Sequence, residues 1–157
     1  MQVELTVNGV SHPVDVEPRL SLLDCLRDRL GLTGAHTGCE HGVCGACTVL
    51  FDGESMRSCL IFAVQANCHE ILTVESLGTV DHLHPLQEAF QEAHGLQCGF
   101  CTPGILMSVV PFLAGNAKPT EEDIREAISG NLCRCTGYQN IVEAVKLASE
   151  KMAAGKS

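Results

Sequence analysis

Residues 38–49 have the sequence GCEHGVCGACTV, which places three cysteines in a glycine-rich loop that runs into an apolar, β-branched strand. Their spacing, C-x4-C-x2-C, is the plant-type arrangement for a [2Fe–2S] cluster, in which a fourth cysteine arrives from elsewhere in the chain. Glycines between the ligands permit the unusual φ values and the close backbone approach that a loop around a cluster requires. The stretch therefore predicts a cluster bound by Cys39, Cys44 and Cys47.

The fourth ligand is predicted from the hairpin that follows this loop. Residues 48–51 have the pattern of a strand, and the Asp-Gly pair at 52–53 is a strong two-residue turn signal. A chain that folds back at this turn returns the sulfur of Cys59 to the neighbourhood of Cys47. Cys68 lies beyond that position, and we keep it as the alternative ligand.

The composition describes a globular protein of one domain or two small ones. Of the 157 residues, 45% are hydrophobic and 18% are charged, which is enough apolar content to build a core. The formal charge of −9 disfavours nucleic acid as a partner, because phosphate binding needs a basic face. An aromatic content of 4% without tryptophan also argues against a base-stacking surface.

The meaning of the ten cysteines depends on the compartment. In a secreted protein an even count suggests disulfides. Residues 1–7, however, have neither the basic region nor the apolar region of a signal peptide, and no apolar run in the sequence is long enough to cross a membrane. We therefore expect a cytoplasmic protein, in which cysteines in motif spacing are metal ligands or catalytic groups before they are bridges.

The first half of the chain has the pattern of a small mixed sheet packed on one helix. Residues 2–17 alternate apolar and polar side chains around an Asn-Gly turn, which predicts a β-hairpin. A helix follows, with Ser21 and Asp24 as a capping box and an apolar stripe behind them. After the second hairpin, residues 71–74 supply a last strand.

From about residue 78 the strand patterns stop and helical periodicity begins. Gly95 is expected to end the first helix, the Thr-Pro pair at 102–103 to cap the second, and Pro111 to kink or end that helix early. Four helices are predicted, at 84–94, 104–113 and 120–128 and from about 138 onward. We therefore predict an α+β protein with two domains, residues 1–77 and a helical bundle at residues 78–157.

A second group of cysteines lies in the helical half. Cys98 and Cys101 stand between the first two predicted helices, and Cys133 and Cys135 precede the last one. Turns that meet at one end of a bundle could bring these four thiolates together. Each pair alone is a weak signal, but beside a first cluster in the same chain they predict a second two-iron cluster.

Other roles for these residues remain open on the sequence alone. The C-x2-C pair at 98–101 also fits a thiol–disulfide motif activated at a helix N-terminus, and eight cysteines also fit two structural zinc sites. We expect Cys25 to pack in the core and Cys68 to be a spare. The seven histidines show no ligand pair and are expected to be solvated or capping, with His41 the one inside the cluster loop.

The motifs together resemble the small iron–sulfur subunit of the molybdenum hydroxylase family. This family includes xanthine dehydrogenases, aldehyde oxidoreductases, aerobic carbon monoxide dehydrogenases and bacterial dehydrogenases of N-heterocycles. The resemblance covers nearly the whole chain, with no departure at the eight ligand positions. The stretches that carry it are GCEHGVCGACTV at 38–49, RSCL at 57–60, QCGFCTPG at 97–104 and GNLCRCTGY at 130–138.

The resemblance implies a specific architecture. The N-terminal half would be a β-grasp, ferredoxin-like domain whose cluster is held by Cys39, Cys44, Cys47 and Cys59. The C-terminal half would be a four-helix domain whose cluster, held by Cys98, Cys101, Cys133 and Cys135, lies beside a molybdopterin cofactor in a separate large subunit. Gln97 and Cys135 would lie next to that pterin.

The function implied is electron transfer without substrate turnover by this chain. Electrons would run from molybdenum through the C-terminal cluster to the N-terminal cluster, and then to FAD in a third subunit or to another acceptor. The sequence agrees, because it shows no nucleophile paired with a base and no phosphate-binding loop. The alternative is a free-standing ferredoxin-like electron carrier without a stable partner.

Overall fold

The sheet begins with the first predicted hairpin. In the computed structural model, which describes residues 1–155, β1 (Gln2–Val7) and β2 (Val10–Asp15) pair antiparallel from Gln2↔Asp15 to Val7↔Val10. Asn8 and Gly9 both have positive φ values, of 52° and 77°, as the tight turn between twisted strands requires. The apolar side chains of β1 are buried, so the hairpin contributes one face to a core.

The second hairpin joins the first through a short central strand. β3 (Thr48–Phe51) and β4 (Glu54–Arg57) pair antiparallel. β5 (Glu70–Leu72) lies parallel to β1 and antiparallel to β3, which gives the order β2-β1-β5-β3-β4. The sheet is mixed, as predicted, although the last strand ends at Leu72 and Val74–Ser76 forms a 3₁₀ turn instead.

One helical segment covers this sheet, and its geometry is less regular than expected. The Ser21 hydroxyl caps α1 (Leu22–Asp24) by accepting the Asp24 N–H at 3.0 Å, as the capping signal predicts. The chain then widens into a π-helix, Cys25–Arg29, instead of continuing as an α-helix. The segment closes the first core, whose members include Leu5, Val7, Leu22, Cys25, Leu26, Val49 and Ile71.

Four helices follow the sheet, and a second core lies between them. They are α2 (Pro85–Glu92), α3 (Thr102–Gly115), α4 (Glu121–Ala127) and α5 (Gln139–Ala154). The second core includes Leu86, Phe90, Ile105, Val109, Ile124, Ile141 and Val145. Within residues 1–155, no helix combines the length and the apolar character that a membrane crossing needs.

α2 ends at Glu92, two residues before the predicted end of this helix. His94 takes the left-handed conformation, with φ 53°, and Gly95 follows it with an N–H that donates to Phe90 O at 2.8 Å. The glycine is needed for packing instead, because a Cβ at this position would lie 3.1 Å from the Cβ of Ala144. Gly95 therefore lets α2 approach α5 closely.

α3 runs through Pro111 to Gly115, so the expected early end of this helix is wrong. A proline inside a helix removes one backbone donor and frees the carbonyl four residues earlier. That carbonyl, Met107 O, accepts a hydrogen bond from the Ser55 hydroxyl of β4 at 2.9 Å. The β4 side chain thus replaces the missing donor. α3 also begins at Thr102 with Cys101 as its N-cap, one residue before the predicted cap.

Candidate metal centres

The loop at 38–47 turns sharply between its cysteines. Glu40, Gly42 and Gly45 all have positive φ values, of 59°, 83° and 75°. A Cβ added at Gly38 would lie 2.9 Å from Cys44 Sγ, and one added at Gly42 would lie 2.5 Å from a methyl carbon of Leu60. The loop backbone therefore runs close to the Cys44 sulfur at Gly38 and to the Leu60 side chain at Gly42, where a larger residue would not fit.

The sulfur of Cys39 lies among backbone donors. The Cys44 N–H points at it from 3.4 Å. Together with the N–H groups of His41 and Val43, this donor lowers the pKa of Cys39 to about 6. The loop thus stabilises negative charge on sulfur, which is the form that binds iron. Burial, in contrast, raises the pKa of Cys44.

Cys59 reaches the loop from the second hairpin. Ser58 follows β4, and its N–H and hydroxyl both donate to Cys47 O, at 3.4 and 2.7 Å. This brings the thiol of Cys59 against that of Cys47, and burial together with this neighbour raises the pKa of Cys59 to about 12. Cys68 instead is exposed next to β1, where its N–H donates to Glu4 O at 3.1 Å.

The second group of cysteines also comes together from two inter-helix turns. Cys98 Sγ and Cys135 Sγ are 3.5 Å apart, and the thiols of Cys101 and Cys133 are hydrogen-bonding neighbours. Gly99, with φ 79°, lies in the turn between Cys98 and Cys101. A cavity of about 130 Å³ lies here, lined by residues 98, 100–101 and 132–135.

The electrostatics of the second group resemble those of the first. The Phe100 N–H and the thiol of Cys135 lower the pKa of Cys98. Burial and the thiol of Cys133 raise the pKa of Cys101 to about 12. Burial on its own raises the pKa of Cys133, but the hydroxyl and N–H of Thr136, together with the Cys135 N–H and the thiol of Cys101, lower it overall. The Thr136 hydroxyl lies 3.2 Å from Cys133 Sγ, a contact that sequence reasoning did not identify.

Both groups consist of neighbouring pairs of sulfurs. Among the residues that the structure describes, no three or more His, Cys, Asp or Glu side chains are arranged to hold a single metal ion. A two-iron cluster requires a different arrangement, with two thiolates on each iron. The pairs are Cys39 with Cys44, Cys47 with Cys59, Cys98 with Cys135, and Cys101 with Cys133. The donor set and the close-fitting loop therefore fit such a cluster.

Gln97 lies beside the second group at the protein surface. Its amide Nε2 donates to Cys135 O at 3.2 Å. Gln97, Cys98 and Cys135 are all exposed. Cys98 and Cys135 are therefore accessible from outside the chain, while Cys101 and Cys133 are half-buried, and Gln97 bonds to the backbone of Cys135.

The two groups of cysteines are joined by contacts that the sequence did not reveal. The Leu132 N–H donates to Cys44 O at 2.8 Å, which links the loop before Cys133 to the first loop. His36 stacks on Phe100 with ring centroids 4.6 Å apart, and its Nδ1 lies 2.7 Å from Phe100 O. His36 therefore packs against Phe100, and the expected solvated or capping role is wrong for this histidine. The contact could not be predicted, because a bond between residues so far apart in sequence leaves no periodic signal.

His84 shows the expected capping role. Its Nδ1 accepts the Leu86 N–H at 3.1 Å at the start of α2. His41 is hydrogen-bonded to Cys39 O, so the histidine in the first loop supports the backbone of a cysteine.

Comparison with known proteins gives matches along the chain. Residues 5–70 match the family of the 2Fe-2S iron-sulfur cluster binding domain, and residues 73–146 match that of the [2Fe-2S] binding domain. The caffeine dehydrogenase subunit gamma of a Pseudomonas species is 56% identical over 158 residues, covering 99% of this chain and 95% of that one. The nicotinate dehydrogenase small FeS subunit of Eubacterium barkeri is 44% identical, covering 96% of each.

A solved structure gives the same result for the fold. A chain of quinoline 2-oxidoreductase from Pseudomonas putida 86 superposes with a TM-score of 0.94 at 48% identity. The match covers 100% of this chain and 98% of that one. Similarity therefore extends over the sheet, the helices and both cysteine-bearing regions.

Proposed function

This chain belongs to the family of small iron–sulfur subunits of molybdenum hydroxylases, and on that premise we propose that it is the electron-transfer subunit of such a complex. Electrons would enter from a molybdopterin centre in a large subunit and leave to FAD in a medium subunit or to another acceptor. The observation that carries this proposal is the collection of eight cysteine thiols into two groups of four, joined by the bond from Leu132 N–H to Cys44 O.

Each group has its own set of proposed ligands. When bound, a [2Fe–2S] cluster supplies a one-electron redox centre whose potential responds to hydrogen bonds on the sulfurs and to burial. This chain's backbone N–H groups around Cys39 and the Thr136 hydroxyl beside Cys133 supply such hydrogen bonds. The proposed ligands are Cys39, Cys44, Cys47 and Cys59 for the first cluster, and Cys98, Cys101, Cys133 and Cys135 for the second.

The partners are proposed from the exposed side of the second group. Gln97 and Cys135 would face the pterin of the large subunit, since both are exposed and linked by a hydrogen bond. The exposed sulfurs leave a path for electrons that does not cross the rest of the chain. We propose a cytoplasmic location for the complex.

The finer description of the fold is part of the same proposal. Residues 1–77 would form a β-grasp, ferredoxin-like domain, and residues 78–157, of which 156 and 157 lie outside the described part, would form a four-helix bundle domain. The two separate cores support this division. Val74 and Leu77, just before the boundary, pack against the second core and tie the two parts together.

The proposal is tested by the composition of the complex purified gently with its partners. We expect about four irons for each copy of this chain, together with molybdenum, and FAD where a medium subunit is present. Iron and molybdenum without flavin would indicate a two-component form with another acceptor. Iron without molybdenum or any partner would contradict the proposal in favour of the free-standing carrier, and zinc in place of iron would overturn both.

A further inference from the structure

A buried amide lies between the two groups of cysteines. Asn131 is 2% exposed, and its Nδ2 donates to Gly45 O at 3.1 Å. Its Oδ1 lies 2.9 Å from the hydroxyl of Ser108 in α3, which donates to it. The reverse orientation of the amide would point its oxygen at the Gly45 carbonyl, so these partners fix one orientation. Both ends of the amide are therefore used.

The residues on either side of these contacts belong to the two candidate centres. Gly45 follows Cys44, and Leu132 follows Asn131 and precedes Cys133. The side-chain bond from Asn131 to Gly45 O is therefore adjacent to the backbone bond from Leu132 to Cys44 O. Two neighbouring hydrogen bonds join the loop that carries Cys44 to the turn that carries Cys133.

The chains at this junction meet without spare room. A Cβ at Gly45 would lie 2.5 Å from Gly130 O, and a Cβ at Gly104 would lie 2.1 Å from Gly45 O. Arg57 holds the junction from the other side, because its guanidinium donates to Gly130 O at 2.7 Å and to the Thr48 hydroxyl at 2.6 Å. Close packing of this kind transmits small displacements instead of absorbing them.

We propose that Asn131 is a positioning residue for electron transfer between the two clusters, which fixes the Leu132 amide against the Cys44 carbonyl. This inference rests on the proposed function, since it assumes a cluster at each group of cysteines. Transfer between fixed centres weakens steeply when a bonded contact becomes a gap. The hydrogen bond from Leu132 N–H to Cys44 O is such a contact. Cys44 is a proposed ligand of the first cluster, and Leu132 directly precedes Cys133, a proposed ligand of the second. Asn131 acts on it only through the backbone.

The test uses the purified complex with single substitutions. Asn131→Ala removes both side-chain bonds. Ser108→Ala removes the hydroxyl that donates to Oδ1, which also lies 3.0 Å from Gly104 O, and leaves the bond from Asn131 to Gly45 O in place. Asn140→Ala is the matched control, because its amide also donates to a backbone carbonyl, His94 O at 3.3 Å, but outside the junction. Three quantities are measured: iron for each chain, the magnetic splitting between the two reduced clusters by electron paramagnetic resonance, and the rate of transfer between clusters after rapid reduction.

We expect the Asn131→Ala complex to keep its iron and the resonance signals of both clusters. The magnetic splitting between the reduced clusters should be smaller, and electron transfer between them should be slower. Ser108→Ala should change both quantities in the same direction by less, and Asn140→Ala should change neither. If Asn131→Ala fails to retain iron, Ser108→Ala decides by the same two readouts. Full iron with unchanged splitting and transfer in the deciding variant overturns the role of Asn131 alone. A wild-type complex without two distinct cluster signals overturns the proposed function itself.

Discussion

Gly104 is the residue that allows α3 to approach the first loop closely. It lies in the first turn of the helix, and a Cβ there would meet Gly45 O at 2.1 Å and Gly45 C at 3.0 Å. Gly115, the last residue of the same helix, has nothing within 4 Å of its would-be Cβ. Steric contact therefore requires glycine at position 104, whereas nothing around Gly115 opposes a side chain.

The difference predicts opposite effects of the same substitution. We expect Gly104→Ala to lower the free energy of unfolding by about 1–3 kcal/mol, because the backbone of the first loop must move. Gly115→Ala should leave it unchanged or raise it by up to about 1 kcal/mol, because alanine favours helix more than glycine does. Denaturant unfolding of the cluster-loaded protein measures both. Equal midpoints for the two variants would contradict the close contact at Gly104.

At the scale of elements, α3 depends on β4 for its regularity. Pro111 lacks the donor that would reach Met107 O, and the Ser55 hydroxyl supplies one at 2.9 Å. From sequence alone, a proline inside a helix predicts a kink or an end, because the proline removes a backbone bond and only residues close in sequence can be considered as replacement donors. The replacement donor comes from a strand that precedes the helix by many residues, so its contribution could not be predicted.

This compensation can be measured by a double-mutant cycle. Ser55→Ala should cost about 0.5–1.5 kcal/mol of stability, since the buried carbonyl of Met107 loses its donor. In the Pro111→Ala background the backbone N–H of residue 111 returns, and the same substitution should cost clearly less. Thermal or denaturant unfolding of the four proteins gives the coupling energy. Additive effects would show that Ser55 does not substitute for the missing bond.

The other elements follow from local patterns to different degrees. The Asn8-Gly9 turn, the β3–β4 hairpin and the Ser21 cap of α1 are all present as predicted, because each depends on residues close together in the sequence. The π-helix at Cys25–Arg29 and the left-handed His94 were not predicted. None of these residues is of a type specific for a π-helix or for the left-handed conformation, so the packing around each segment determines its conformation.

At the scale of the whole molecule, the sequence predicted the members of each cysteine group better than the contacts between the groups. The spacing of the cysteines and the Asp-Gly turn of the hairpin are both recognisable in the sequence, and together they predict that Cys59 lies beside Cys47, as it does. The contacts between the groups involve Asn131, His36 and Arg57, each of which has a hydrogen-bond partner 64 to 86 residues away in the chain. Polar side chains of this kind have no periodic pattern, so only the folded chain reveals their partners.

The assignment of ligands predicts different outcomes for two cysteines in the N-terminal part. Cys44→Ser should reduce iron in the purified complex toward about half, because the first cluster is lost while the second is retained. It should also stop transfer to the acceptor and leave substrate binding nearly intact. Cys68→Ser is the matched control and should keep full iron and full turnover, since Cys68 is exposed next to β1.

Measurements of metal content, visible absorption and steady-state turnover compare the two variants. Loss of iron in Cys68→Ser would favour the alternative in which Cys68, and not Cys59, is the fourth ligand, whereas full iron in Cys44→Ser would contradict Cys44 as a ligand. Loss of substrate binding with turnover retained in Cys44→Ser would contradict the role of this chain as a relay.

The hydrogen bond between Leu132 and Cys44 also bears on how the protein matures. The loop proposed to bind one cluster is held by the turn proposed to bind the other, so ordering either side lowers the entropic cost of ordering its neighbour. Metal loading at the two sites is then thermodynamically linked, and filling one must favour filling the other by the same factor in both directions. We therefore expect chains with only one cluster to be less abundant during biogenesis than independent loading of the two sites would give.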